Sequence, residues 1–287
     1  MISPPDKAPP RLCDLALLSV RQQRAIALGP EIFLADRLAE DLAERLNVVK
    51  RNFAAVADIG SPGAAFRKPS SEKFNGTRTY IDLPESDDEM LPIDPASLDL
   101  AVSSLALQFV NDLPGVLAQI RRALRPDGLF LAAMIGGETL TELRQSFAAA
   151  EAETEGGVSP RVAPFADLRD LGALLQRADF ALPVTDVDRI VVRYDNAFAL
   201  MQDLRRMGAT NILVERRRTP SRRATFVRMA EIYAERFSDP DKRIRATFDV
   251  VWLSGWAPHE SQQKPLKPGS AKMSLADAVN KAREPKT

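Results

Sequence analysis

Three groups of residues carry side chains able to do chemistry at a spacing worth following. The first is Asp58-Ile59-Gly60-Ser61-Pro62-Gly63, an acid and two glycines directly after an apolar run. Glycine lets a backbone come close to a ligand, and an acid at a strand end accepts hydrogen bonds from it, which is the layout of a nucleotide-binding first loop. A full fingerprint has three spaced glycines, so a plain strand-to-loop turn competes with that reading. The second group is Asp82 with Asp87-Asp88-Glu89. Acids at strand ends could accept from a ribose or an adenine amine; as a bare charge run they read as a solvated loop. The third group closes two apolar runs: Ser103-Ser104-Leu105 and Gly136-Gly137-Glu138. Glu138 is well placed for a cationic substrate, or simply for the positive end of the helix that follows.

Other chemistry is thinly supplied. With one cysteine, Cys13, and one histidine, His259, no Cys/His zinc site and no two-histidine, one-carboxylate iron site can be assembled. No metal site is expected, although a carboxylate-only one stays open. A Cys-His nucleophilic pair would require Cys13 and His259 to meet. His259, followed by Glu260, serves a site only if the tail folds back over it; an ordered tail contact is the plainer reading.

Composition narrows the class further. The 287 residues hold 39 basic and 39 acidic side chains, so no global field steers the chain to nucleic acid or anionic lipid. A lone cysteine rules out an intrachain disulfide and suits a reducing compartment. No apolar run approaches the length of a transmembrane helix. The start, MISPPDKAPP, lacks the features of a secretory signal and reads as a disordered leader over residues 1–10. Five arginines between 216 and 223 mark either an acidic partner or a solvated helix start.

The elements that must position these residues follow from periodicity. Leu98–Leu105, helix-spaced Leu113, Val116, Leu117, Ile120 and Leu124, and then Leu129–Ile135 make a strand–helix–strand unit, hence a parallel sheet covered on both faces. Asn111 and Asp112 are cap candidates, and Pro126-Asp127-Gly128 reads as a turn in which glycine takes the positive φ. Ala54–Ile59 is the first strand and Thr77–Leu83 the second, with a loop over 67–76. Helices are expected over 11–28, 33–46, 138–154, 166–178 and 196–207, closed in the last case by Gly208. A further helix carries Phe226, Ala230, Tyr233 and Phe237. Val184–Tyr194 and Arg243–Ser254 alternate as late strands. The helices of about 196–240 form an insertion between them, and residues 257–287 form an extended tail.

These runs resemble the S-adenosylmethionine-dependent methyltransferase fold: D-I-G at Asp58, D-x-x-x-L-P at Asp87–Pro92, S-x-D-L-x-V-S-S-L-x-L at Ser97–Leu107, and L-R-P-D-G before a strand. Within it, the chain is similar to the methyltransferase-like assembly factors of respiratory complex I. It shares F-V-N-D-L-P (109–114), G-G-E-T-L-x-E-L-R (136–144), E-G-G-x-S-P-x-x-x-P-F (155–165), L-L-x-R-A-x-F (174–180), M-x-D-L-x-x-M-G (201–208) and G-W-x-x-H-E-S (255–261). The resemblance covers nearly the whole chain from about Arg11.

It implies an α/β, Rossmann-like domain over 11–256. The sheet would be mostly parallel and seven-stranded, with an antiparallel edge strand and the helical insertion between the last two strands. Ser97–Thr139 would then hold the fourth and fifth strands. It implies S-adenosylmethionine as cofactor, with Asp58, Gly60 and Gly63 at its methionine end, Asp82 by the ribose, Asp87 facing the adenine amine and Ser103, Ser104 and Leu105 lining the pocket. The partner would be a complex I subunit, with neither nucleic acid nor a transmembrane segment involved. The protein would be cytoplasmic, reaching the inner membrane through that partner. Family members are described as arginine hydroxylases, and bacterial relatives as methyltransferases. This chain departs from the family loop: Pro62 stands at the second glycine position and Ala64 at the last, and proline adds a ring and removes a donor. Gln108 stands where relatives often carry histidine. The implied function is a methyltransferase-like protein of complex I assembly that modifies an arginine. The alternative is a non-catalytic assembly factor with a degenerate cofactor loop.

Overall fold

A computed structural model gives the structure, which describes residues 11–62, 74–83 and 89–263. Its centre is one sheet with strand order β2-β1-β3-β4-β6-β5. The strands are β1 (Phe53–Ile59), β2 (Phe74–Ile81), β3 (Leu98–Ser104), β4 (Leu124–Ile135), β5 (Ala181–Tyr194) and β6 (Ile244–Trp256). β2, β1, β3 and β4 run parallel, and β6 lies antiparallel between β4 and β5. The near-continuous burial of β1, β3 and β4 is what a parallel sheet with both faces covered requires.

Alternation along β4 divides the core. Leu129, Leu131, Ala133 and Ile135 face one cluster; Phe130, Ala132 and Met134 face the other. The first face is covered by α2 (Phe33–Asn47), α4 (Thr141–Thr154), α6 (Ala197–Arg206) and α7 (Arg223–Phe237). Leu38, Leu42 and Leu46 of α2 are fully buried there, each contributing about 1.5–3 kcal/mol relative to an exposed leucine. The second face is covered by α3 (Leu113–Ala123), through Val116, Leu117 and Ile120, and by α5 (Leu168–Arg177), through Leu171 and Leu175. α1 (Leu15–Ala27) packs on α6. Asp112 caps α3, accepting from Gly115 N at 3.0 Å, with Pro114 in the first turn. Asn196 caps α6, and Gly208 closes it at φ 71°.

Several expectations are corrected. The described residues form six strands rather than seven, and Ser97–Thr139 holds the third and fourth. Between Ile81 and Leu98 the described residues form no strand; Pro92 and Pro95 cannot donate to a ladder. The antiparallel strand is not at the edge. β6 is long and apolar enough to be buried on both sides, and β5, with its exposed valines, takes the edge instead. Asn75 and Gly76 belong to β2 rather than to a loop. Pro126-Asp127-Gly128 lies inside β4 as an irregularity, the register passing from Leu98↔Leu124 to Leu100↔Leu129. There Asp127 takes φ 63°, not Gly128. Gly63, Ala64 and Asp87, the leader 1–10 and the tail beyond 263 lie outside the described residues.

Candidate functional site

In parallel sheets the ligand end is the carboxyl end of the strands. Register places the ends of β1 and β3 side by side, Asp58 opposite Val102, and brings β2 up on the other side, Ile59 opposite Ile81. Asp58 is buried at the end of β1. Gly60 follows at φ 70° and donates to the Ile81 carbonyl at 2.8 Å; a side chain there would be strained whatever the space. Asp82, the residue after β2, is exposed beside it.

The serines of β3 play different parts. Ser103 Oγ donates to the Ile59 carbonyl at 2.7 Å, stitching β3 to β1. Ser104 N donates to Ser61 Oγ at 2.9 Å, but the buried Ser104 hydroxyl has no hydrogen-bond partner among the described residues. Leu105 turns the chain at φ 51°, and Gln108 Nε2 donates to its carbonyl at 2.8 Å. That leaves Gln108 Oε1 buried and unpartnered. Buried polar atoms are nearly always satisfied, so two together at strand ends call for an explanation such as a bound group. Sequence reading singled out Ser104 but treated Gln108 only as a departure and missed Ser61.

The Gly60 loop is crowded on one side. A Cβ added to Gly60 would come within 2.7 Å of Leu83 Cγ and 2.9 Å of Ala106 Cβ. Pro62 is exposed.

Glu138 is exposed just past the end of β4, on the same edge of the sheet. Its surroundings are tightly built. Gly136 N donates to the Asp249 carbonyl at 2.8 Å, and a Cβ there would strike Val251 Cγ2 at 2.6 Å. Buried Asp249 holds Arg189 through two bonds of 2.7 and 2.9 Å. That pairing raises the proton affinity of Arg189, with Glu138 and Glu142 adding to it. Glu142 accepts from Thr247 N at 3.2 Å and from Thr247 Oγ1 at 2.5 Å.

His259 is corrected as a site residue. β6 runs antiparallel to β4, so Trp256 pairs with Leu129 at the opposite end of the sheet. His259 lies beyond Trp256, in a turn where Nδ1 is 2.7 Å from Ser261 Oγ and Gln262 Nε2 donates to Asp127 Oδ1 at 3.0 Å. Nor does it meet Cys13. Burial, with Glu89 adding to it, pushes that thiol up to about 11, the reverse of an activated nucleophile.

Cys13 belongs instead to a clamp at the ligand end. Asn111 Oδ1 accepts from Leu12 N at 2.9 Å and Cys13 N at 2.8 Å, and its Nδ2 donates to the Cys13 carbonyl at 3.2 Å. Cys13 bridges to Leu213, and Asp14 N donates to the Ile212 carbonyl at 2.9 Å. Glu89 is buried beneath, accepting from Asn111 N at 2.8 Å and Asp112 N at 2.6 Å. Glu89 is therefore neither solvated nor a ligand acceptor, and Asn111 is not a helix cap. These two residues tie the amino-terminal segment and the insertion to the loop that follows β3.

A methyltransferase domain profile matches residues 55–132, which run from β1 into β4. The malonyl-[acyl-carrier protein] O-methyltransferase of Xylella fastidiosa is 41% identical over 172 residues, 60% of this chain and 56% of that protein. The mitochondrial arginine-hydroxylase NDUFAF5 of Dictyostelium discoideum is 45% identical over 192 residues, 67% of this chain and 44% of that relative. Its Danio rerio counterpart is 39% identical over 262 residues, and these take in 85% of this chain and 81% of the relative. Likeness on that scale extends well beyond residues 55–132, and on it the chain belongs to the NDUFAF5 arginine-hydroxylase family.

Proposed function

We propose that the protein binds S-adenosylmethionine at the carboxyl ends of β1 and β3 and serves respiratory complex I assembly by modifying an arginine of a complex I subunit. The observation carrying the cofactor reading is the acceptor set: Ser104 Oγ and Gln108 Oε1, buried without partners beside the buried carboxylate of Asp58. S-adenosylmethionine presents donors, namely an ammonium, ribose hydroxyls and an adenine amine, so this set fits it. Asp58 and Gly60 would hold the methionine end and Asp82 the ribose. Gly63 and Asp87, outside the described residues, would complete the family pattern. When bound, the sulfonium offers a methyl group to in-line displacement.

The chain's own residues supply position rather than covalent chemistry. Ser103 fixes the pocket floor by holding β3 against β1, and Ser104 and Leu105 line it. Glu138 offers a carboxylate to which a substrate guanidinium can make paired hydrogen bonds. The Asp249–Arg189 pair and the Gly136–Val251 contact keep that edge rigid. The arginine is methylated, the guanidinium losing a proton as S-adenosylhomocysteine leaves, or it is hydroxylated where dioxygen and an external electron donor are supplied. The protein would work as a peripheral protein brought to the membrane by its partner; among the described residues no helix is long and apolar enough to cross one.

A second reading, a partner-binding assembly factor without chemistry, draws on the closed space at Gly60. Leu83 and Ala106 occupy the side of the loop where glycine would otherwise admit a ligand. Calorimetric titration with S-adenosylmethionine decides between the two. Binding that Asp58→Ala weakens at least tenfold is expected. No heat and no thermal shift at millimolar ligand would overturn the cofactor reading. Mass spectrometry of a complex I subunit incubated with the loaded protein then separates a gain of one methylene from a gain of one oxygen atom.

A further inference from the structure

α6 carries most of the run Met201–Gly208 and lines two depressions that share a residue. One is a trough of ≈ 430 Å³ walled by Leu28, Phe198, Met201 and Phe226, with Gln202, Arg205 and Arg206 completing it. The other, of ≈ 190 Å³, is lined by Arg21, Arg24, Arg205 and Thr210. Arg205 belongs to both. Leu28 and Phe198 remain 53% and 49% exposed, so the trough presents uncovered apolar surface beside a cluster of like charges.

No carboxylate among the described residues forms an ion pair with Arg21, Arg24 or Arg205. Asp14, the acid acting on Arg21, is already engaged: it caps α1 through Leu17 N at 3.0 Å and pairs with Arg216 at 3.1 Å. Arg206 is satisfied by Glu31 at 3.1 Å and Asp203 at 3.7 Å. Arg21 is nonetheless held in place, donating to Thr210 Oγ1 at 2.9 Å. Burial, then Arg216 and Arg24, weaken its hold on its proton. Convergent guanidinium groups repel one another unless an anion joins them, and their forks match phosphate and carboxylate oxygens.

We infer that the two depressions form one site for an anionic amphiphile, its alkyl chain in the Leu28–Phe226 trough and its phosphate or carboxylate held by Arg21, Arg24 and Arg205. The trough falls in the range of about 300–1,000 Å³ usual for small-molecule sites. The charges converge on one small pocket instead of spreading along a face, which favours a single headgroup over an extended acidic partner. This site shares no lining residue with the strand-end pocket, and its binding can be measured independently of what occupies that pocket.

The test uses the full chain and monomeric probes below their micelle concentrations: dodecyl phosphate, dodecanoate, dodecyl maltoside and inorganic phosphate, read by calorimetry and thermal shift. Dodecyl phosphate and dodecanoate should bind at least tenfold more tightly than the neutral maltoside or the tail-less phosphate. Arg24→Glu with Arg205→Glu should abolish that preference while leaving the circular dichroism unchanged. The milder pair Arg24→Gln with Arg205→Gln should weaken binding and flatten its salt dependence. Met201→Trp, which fills the trough, should weaken dodecyl phosphate binding. Equal binding of maltoside and dodecyl phosphate, or unchanged affinity in both arginine double variants, would overturn the inference. Binding only to phosphatidylglycerol vesicles would also overturn it and assign the face to a membrane surface.

Discussion

At the far end of β4, Asp249 meets Arg189 through two hydrogen bonds, Glu142 takes both donors of Thr247, and Glu151 on α4 gathers Ser159 and Arg161. A few strands away, where β1 and β3 end, Ser104 Oγ and Gln108 Oε1 are buried with nothing to bond. Both regions bury polar atoms at the same edge of one sheet. One spends its acids on its own chain; the other keeps acceptors in reserve. Burying a polar atom without a partner costs stability, so under the proposed function the contrast separates carboxylates that hold the fold together from acceptors that a ligand would engage. Arg144 Nε, a donor two residues after Glu142, is also buried without a partner among the described residues. A cluster of charged residues is therefore a poor guide to the site here, and unspent bonding capacity is a better one.

Four measurements would break or sharpen the contrast. Glu142→Ala should cost about 3 kcal/mol in urea unfolding, because it strands buried donors of Thr247. A loss below about 1 kcal/mol would mean that this region is not self-satisfied. Next, Asp58→Ala should weaken S-adenosylmethionine binding at least tenfold by calorimetry, and an unchanged affinity would place the cofactor elsewhere. The third effect is one of pH. Burial alone would raise the Glu151 carboxyl, but hydrogen bonds from Ser159 and Arg161 outweigh it and hold the group below the usual glutamate range. Its stabilisation is complete above the unfolded value of about 4.3 and is lost as pH falls below that. Between pH about 5 and 3 the parent should therefore lose urea resistance faster than Glu151→Gln. Parallel curves would count against the assignment. Smallest, Ser104→Ala should leave the free protein within about 1 kcal/mol of the parent, or more stable, while weakening cofactor binding severalfold. Destabilisation as large as that of Glu142→Ala would erase the distinction.

Much of the fold was legible because its signals are local. The apolar runs of β1, β3 and β4, the helix spacing of Leu34, Leu38, Leu42 and Leu46, and the cap at Asp112 each announce themselves within a few residues. What escaped depends on distant partners. That β6 enters the sheet beside β4 is a matter of register between segments more than 100 residues apart, and periodicity says nothing of it. The same register carries His259 away from the ligand edge. At the site, Asp58, Gly60 and Ser104 could be picked out because residue type and strand-end position coincide. Gln108 could not, because its open Oε1 is evident only once Nε2 is seen bound to Leu105. Glu89 was read as part of a charge run, and only the peptide groups of Asn111 and Asp112 show that it is structural.

The clamp around Asn111 also sets an order of events during synthesis. The segment at Cys13 leaves the ribosome before its partners: Asn111 follows 98 residues later and the Ile212 carbonyl later still. At about 5–20 residues per second, the interval from Cys13 to Ile212 is on the order of 10–40 seconds. Through that time α1 has neither its clamp nor α6, and Leu18 and Ala25, buried in the finished protein, have no surface of their own chain to cover them. The nascent chain thus carries α1 as an unpaired amphipathic helix until its partners have emerged, and a chaperone that shields it during those seconds would act on the step that closes the fold.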